Sequence, residues 1–175
     1  MKLFEKYGLL FRPVEISDSK FIVKLRTDSK LSKHISQTSS NISLQKDWIS
    51  KYKKREAVGL EYYFVVLKDT VPCGTVRIYN IKPKEFEIGS WLFKNDIDVN
   101  IPILADIGIR EFGIDTIKGA ESIVFEVRKN NKQVVKYHKR YQPIVTGEDE
   151  QNYYFKLPFE NFENNKEKIL RLILS

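Results

Sequence analysis

Residues 122–141 read SIVFEVRKNNKQVVKYHKRY, and the change of pattern inside this stretch decides the fold class. SIVFEV (122–127) is a short apolar run with the character of a buried strand. NNKQVVKYHKRY (130–141) opens on Asn, a residue that caps helix starts readily, and is rich in Lys and Arg, so it reads as a basic helix. A buried strand followed directly by a helix belongs in a layered α/β domain.

Working outward, IPILADIGIREFGIDTIK (101–118) is too long for a strand, has Pro102 in its first turn and stops before Gly119, which predicts a helix. Ile103, Leu104, Ile107, Ile109, Phe112, Ile114 and Ile117 leave it only a narrow polar stripe, so it should pack deep against a sheet. Gly108 and Gly113 each cost roughly 1 kcal/mol relative to Ala inside a helix. Close packing on the sheet and close approach of a ligand are both open as reasons for them. Before this helix, YYFVVLK, CGTVRIYNI and FEIGSWLF, separated by turns at Asp69 to Pro72 and at KPKE, form a three-stranded antiparallel meander. Further back, residues 8–15 read as a strand, Ser17 and Asp18 open a helix through Leu25, and 27–42 is a polar loop. Ser43 then caps a second helix with Leu44, Trp48, Ile49 and Tyr52 on one side and a basic opposite face. After residue 141, IVTGED and NYYFKLPF read as strands and 163–174 as a last helix. The order β, α, α, β, β, β, α, β, α, β, β, α predicts a mixed, mostly antiparallel sheet flanked by helices.

With 175 residues and 42% apolar content, the expectation is one domain, 1–175, with a sizeable core. The net charge of +7 favours an anionic ligand or partner. One cysteine, Cys73, cannot form an internal disulfide, and two histidines, His34 and His138, give no zinc-type cluster, so no metal is expected and a reducing cytoplasm fits. No apolar run approaches the ~18 residues that span a bilayer, and MKLFEKYGLLFRP lacks a long apolar h-region and a small-residue cleavage site.

FEVRKNNKQVVKYHKRYQP resembles the signature of the GNAT acetyltransferase superfamily, whose pattern of Val, Asn, a small residue and Tyr falls here on Val127, Asn131, Val134 and His138. The element order is also the GNAT order, so the resemblance extends over residues 8–158, and EIGSWLF with VRKNNKQVVKYHKRY is most similar to bacterial N-acetyltransferases of amino-sugar and surface-polysaccharide pathways. Two departures stand out. The phosphate-cradling loop, usually Gln/Arg-x-x-Gly-x-Gly/Ala, is replaced by the glycine-free KNDIDVNIPIL, and Gln142 and Pro143 stand where Gly and Phe are common. Helix-start amides near Asn100 carry positive partial charge and can still receive an anion, although Asp96 and Asp98 oppose it.

The resemblance implies acetyl-CoA as acyl donor, held by Leu92, Phe93, Asn100, Ile101, Ile103, Asn131, Lys132 and Lys136, with direct attack of an acceptor amine on the thioester. Glu87, placed by alternation on one face with Gly89, Trp91 and Phe93, is the candidate general base if that face is the cleft, and a solvent-facing strand residue otherwise. His138 stands where the family's Tyr donates to the coenzyme sulfur; with an ordinary pKa near 6.5 it could also shuttle a proton, while a packed helix residue is the plain alternative. Tyr137 takes the role if the register slips by one. Asn131 can cap its helix, bond the pantetheine arm, or both. Some of Arg128, Lys129, Lys132, Lys136, Lys139 and Arg140 can meet phosphates while the rest form a solvated face. His34 lies in a loop that lines the acceptor side in GNAT folds. Trp48, Trp91 and Tyr79 read as core or sheet-face residues, and Ser90, without a His/Asp partner, suggests no acyl-enzyme.

The expected function is therefore an acetyl-CoA dependent N-acetyltransferase, with a nucleotide-linked amino sugar as acceptor, a choice that rests on family analogy. The basic second helix, with Lys46, Lys51, Lys53, Lys54 and Arg55, suits a diphosphate. A peptide or protein N-terminal amine is the enzymatic alternative, and a non-catalytic acyl-CoA or nucleic-acid binding module the other. The expected partners are small molecules, not nucleic acid or membrane, and the chain is expected to be a monomer or homodimer.

Overall fold

The computed structural model describes residues 3–35 and 38–174; part of the polar loop expected over 27–42, residues 36 and 37, lies outside them. Eight strands, β1 (Phe4–Lys6), β2 (Leu9–Pro13), β3 (Tyr62–Lys68), β4 (Val71–Lys82), β5 (Glu85–Phe93), β6 (Ser122–Arg128), β7 (Ile144–Glu148) and β8 (Asn152–Pro158), form one sheet in the order β1-β2-β3-β4-β5-β6-β8-β7. Among the described residues five α-helices, α1 (Ser19–Thr27), α2 (Ile42–Ala57), α3 (Asn100–Thr116), α4 (Lys132–Lys139) and α5 (Phe159–Leu174), cover it. No helix among the described residues is long and apolar enough to cross a membrane.

Several boundaries differ from expectation for local reasons. The strand expected over 8–15 is the second arm of a hairpin whose turn residues Tyr7 and Gly8 both have positive φ, the geometry a two-residue turn needs to match strand twist. Asp69 and Thr70 make the same kind of turn, so Pro72 belongs to β4 rather than to the turn. Ser17 and Asp18 sit in a short 3-10 turn, where the Asp18 carboxylate accepts from the Glu15 N–H and pairs with Arg12; α1 starts only at Ser19. Asn41, not Ser43, caps α2, its side-chain oxygen accepting the Ser43 N–H at 2.9 Å. The last helix begins at Phe159, immediately after Pro158 ends β8.

Two cores lie on opposite faces of the sheet. The larger joins β-sheet residues such as Phe11, Phe64, Phe86 and Phe155 to α3, α4 and α5, and the smaller joins Val14, Tyr63 and Val65 to Ile22 of α1 and to Ile49 and Tyr52 of α2. The glycines of α3 are explained by the sheet alone. A Cβ on Gly113 would meet the Phe86 ring at 2.4 Å, and one on Gly108 the Phe11 ring at 2.9 Å.

The feature that positions the site is the β5–β6 pair, the sheet's parallel neighbours. The two strands are hydrogen-bonded only where Glu85, Phe86 and Glu87 face Ser122, Ile123 and Val124. Beyond that point β5 stays on β4 as far as Phe93, and β6 stays on β8 as far as Arg128, so the two strands part. A β-bulge marks the parting: Ser90 has φ +48°, and Ser90 and Trp91 together occupy the span opposite the single residue Val76. The bulge also reverses the alternation. Trp91 and Phe93 join Phe86 and Ile88 in the large core, so Glu87 does not share their face as strict alternation predicts.

Candidate active site

A cleft of about 1010 Å³ opens where β5 and β6 part. It is lined by Ile88 and Ser90 to Phe93 on one strand and by Phe125 to Arg128 on the other, and by groups from helices on both faces of the sheet. The strand edges that face each other there have no partner strand, so their N–H and C=O groups can meet an extended ligand that alternates donors and acceptors.

The buried side of the cleft is a polar cluster set in the large core. Asp106 and Arg110 are one helical turn apart on α3 and almost fully buried, and the Arg110 Nε donates to Asp106 Oδ2 at 2.9 Å. The same carboxylate oxygen accepts the Tyr137 hydroxyl at 2.8 Å, and the Tyr137 and Tyr141 hydroxyls lie 2.9 Å apart. Burial, with Asp106 beside them, pushes both phenols well above their ordinary pKa. For Arg110, burial works against the charge, and Asp106 more than offsets it. The guanidinium lies over the Phe125 ring at 4.8 Å and the Tyr141 ring at 5.3 Å, and its Nη2 reaches Nδ1 of His138 at 3.3 Å.

His138 borders the cleft between Phe125, Trp91 and Tyr137. Burial first, and the Arg110 charge with it, pull its pKa down to about 3 against the opposing pull of Asp106. That shift favours the neutral ring and works against a proton shuttle at cellular pH, one of the roles open to His138 from sequence. Tyr137, the alternative if the register slips, does not line the cleft, and its hydroxyl is held by Asp106 and Tyr141.

Glu87 lies on the opposite face of β5 and does not line the cleft. Its two oxygens accept the Tyr79 hydroxyl at 2.6 Å and the Asn80 amide at 2.7 Å. Tyr79 does line the cleft, lying across the bare backbone of Gly89, where a Cβ would meet its ring and hydroxyl within 3.2 Å. Trp48 and Trp91, expected as core or sheet-face residues, also line it, with the Trp91 indole N–H donating to the Pro102 carbonyl at 2.8 Å. His34 reaches the cleft as well; its Nδ1 is 3.0 Å from Asn130 Oδ1, tying the loop after α1 to the start of α4.

The expected cofactor residues divide. Leu92, Phe93 and Asn131 border the cleft, and Asn131 caps α4 by accepting the Val134 N–H. Lys132 and Lys136 are exposed outside it; of the basic run only Arg128 lines it, and Arg128 donates to Gln151. Asn100, Ile101 and Ile103 are turned away: Asn100 donates its side-chain amide to the Ile173 carbonyl, Ile101 is buried in the core and Ile103 packs against it. The anion-binding capacity expected of the α3 start is also largely spent. Asp98 takes the Asn100 N–H on its carboxylate and the Ile101 N–H on its carbonyl, and Pro102 has none to give. Lys94 and Arg128 are among the cations that border the cleft, beside its parted strand edges.

Sequence reasoning passed over Asp106 and Arg110. Their signal was the polar stripe itself, an acid and a base four residues apart in the favourable order inside an otherwise apolar helix.

No curated protein matches the chain. Among solved structures it is similar to apo FdhC, a nucleotide-linked sugar GNAT, with 32% identity, a TM-score of 0.85 and 98% of each chain covered. The fold is also that of the ribosomal-protein-S5-alanine acetyltransferase of Vibrio fischeri, at 17% identity and TM-score 0.76 over 90% of this chain and 97% of that one. The N-acetyltransferase PseH of Campylobacter jejuni in complex with acetyl coenzyme A shares the fold at 20% identity and TM-score 0.63 over 86% and 98%. The acetyltransferase (GNAT) domain model matches residues 8–143. With that match added to the parted β5–β6 pair and the FdhC likeness along almost its whole length, the chain belongs to the GNAT acetyltransferase family.

Proposed function

We propose that the chain transfers acetyl from acetyl-CoA to the amine of a nucleotide-linked amino sugar by direct attack. The observation that carries this reading is the 32% identity to a nucleotide-linked sugar GNAT over 98% of both chains. Arg26 and Lys30, which line the cleft, support it, because a nucleotide diphosphate needs cations, while Arg77 beside them is paired with Glu61. Bound acetyl-CoA supplies the thioester whose carbonyl carbon the amine attacks.

The parted edges at Leu92 and Phe93, with Asn131 and Arg128 opposite, hold and orient the thioester arm. Tyr79 takes the amine proton on its hydroxyl oxygen while passing its own proton to Glu87, to which it already donates at 2.6 Å. Glu87 thus acts through Tyr79 rather than by touching the amine. His138, neutral at cellular pH, donates a hydrogen bond to the departing sulfur without surrendering its proton. A thiolate has the proton affinity of a group with pKa near 8.5, so solvent completes its protonation.

The test is thiol release from acetyl-CoA with a panel of nucleotide-linked amino sugars, free amino acids and peptides. Fastest turnover with a nucleotide-linked sugar is expected; a peptide preferred over every sugar overturns the acceptor assignment.

A further inference from the structure

We propose that Arg110 is a positioning residue that fixes the His138 ring as its Nε2–H tautomer, giving the departing sulfur a donor backed by a buried positive charge. The inference rests on the role given to His138 above, but the tautomer can be measured without turnover.

The argument starts from what a guanidinium can offer. All its polar atoms are donors and none is an acceptor. Its Nη2 lies 3.3 Å from His138 Nδ1, so Nδ1 must present its lone pair; a proton there would set two donors against each other inside the core. The single proton of the neutral ring then sits on Nε2. Among the described residues Arg110 is the hydrogen-bond partner of Nδ1. Asp106 directs its Oδ2 to Arg110 and Tyr137, and Phe125, Trp91 and the Tyr137 ring pack around the imidazole.

Arg110 is itself held in place. It is fully buried, anchored to Asp106 within its own helix, and packed over Phe125 and Tyr141. Its Nη1 is buried without a hydrogen-bond partner, so the guanidinium keeps charge that no neighbour fully satisfies. That charge polarises the imidazole, strengthening Nε2–H as a donor and opposing protonation of the ring. The charged and titratable groups around His138 are Arg110 and Asp106 from α3 and Tyr137 and Tyr141 from α4 and its end. The two phenols are held protonated and the guanidinium charged by their surroundings. His138 accordingly adds no limb near pH 6.5 to the rate profile.

The experiment is a two-bond proton–nitrogen correlation spectrum of the wild-type protein labelled at histidine nitrogens, with the His138 signals assigned by their loss in His138→Phe. The Nε2–H pattern, constant from pH 5 to pH 8, is expected. An Nδ1–H pattern, or titration of His138 near pH 6.5, overturns the proposal without any Arg110 variant having to fold. The paired change Arg110→Met with Asp106→Asn removes both charges together, so no buried charge is left alone. It should mix the tautomers and lower kcat about tenfold, with KM for acetyl-CoA within about twofold of wild type, the rate loss of a donor strengthened only as the sulfur departs. Arg110→Lys, which restores a cationic donor, should recover part of kcat. A fixed Nε2–H tautomer in the Met/Asn variant overturns the role of Arg110. Mixed tautomers with unchanged kcat overturn the donor role at the sulfur, and that failure belongs to the reading of His138 rather than to the acetyltransferase assignment.

Discussion

Two polar clusters flank the cleft, each with a tyrosine hydroxyl donating to a carboxylate, and they stand in opposite surroundings. On the α3 side, Asp106, Arg110, Tyr137 and His138 are sealed in the core, each held by the next. On the other side, Glu87 is half-buried and shares its carboxylate between Tyr79 and the exposed Asn80. The sealed cluster keeps its protons where they are, which suits a donor that must not titrate. The open one stands near water, which suits a route by which a proton leaves. The same tyrosine–carboxylate pair thus stands in one place beside a buried guanidinium and in the other beside solvent.

The comparison is broken most severely by removing the carboxylate of the sealed side. Asp106→Leu leaves the Arg110 charge buried and uncompensated, a loss of about 3–5 kcal/mol, and should lower Tm by roughly 10 °C or more in a scanning calorimeter. Glu87→Gln, on the open side, should leave Tm nearly unchanged while slowing turnover about 10²-fold, and Tyr79→Phe should match it. A Tyr79→Phe enzyme with full activity would disconnect Glu87 from the acceptor amine.

The next test uses acid. The folded pKa of His138 is pulled down to about 3, below the unfolded value near 6.5, so the unfolded chain binds a proton that the folded chain refuses. The stability held above pH 6.5 is therefore lost as the pH falls through the window from 6.5 toward 3, by about 2 kcal/mol between pH 6.5 and pH 5. Urea unfolding at the two pH values should show that slope in wild type and not in His138→Phe. The smallest effect belongs to the exposed carboxylate at the α3 start. Asp98→Asn keeps an acceptor for the Asn100 N–H but removes a negative charge from the cleft lining, and should tighten acetyl-CoA binding about threefold by calorimetry.

What was legible in the sequence is what local pattern determines. The meander, the apolar α3 and the step from β6 into α4 follow from periodicity and caps, and the family resemblance singled out His138, which borders the cleft. What was not legible depends on packing between distant segments. The bulge at Ser90 has no period of its own, and it removes Trp91 and Phe93 from the face of Glu87. Trp48 and Tyr79 enter the cleft only because α2 and β4 meet there, which no window of residues contains. Asn100, Ile101 and Ile103 turn inward because α5 and the large core close over the start of α3, an interaction some 70 residues away in sequence for Asn100 and Ile173.

The extra residue at Ser90 also makes the cleft a matter of parity. Remove one residue there and every side chain from Trp91 to Phe93 would change faces; Phe93 would leave the space kept clear for it over Gly74, where a Cβ would stand 2.1 Å from its ring. A wedge that receives substrate and a plain strand that zips onto its neighbour are therefore separated by a single codon, whose deletion would scramble this core while leaving the composition of the chain all but untouched.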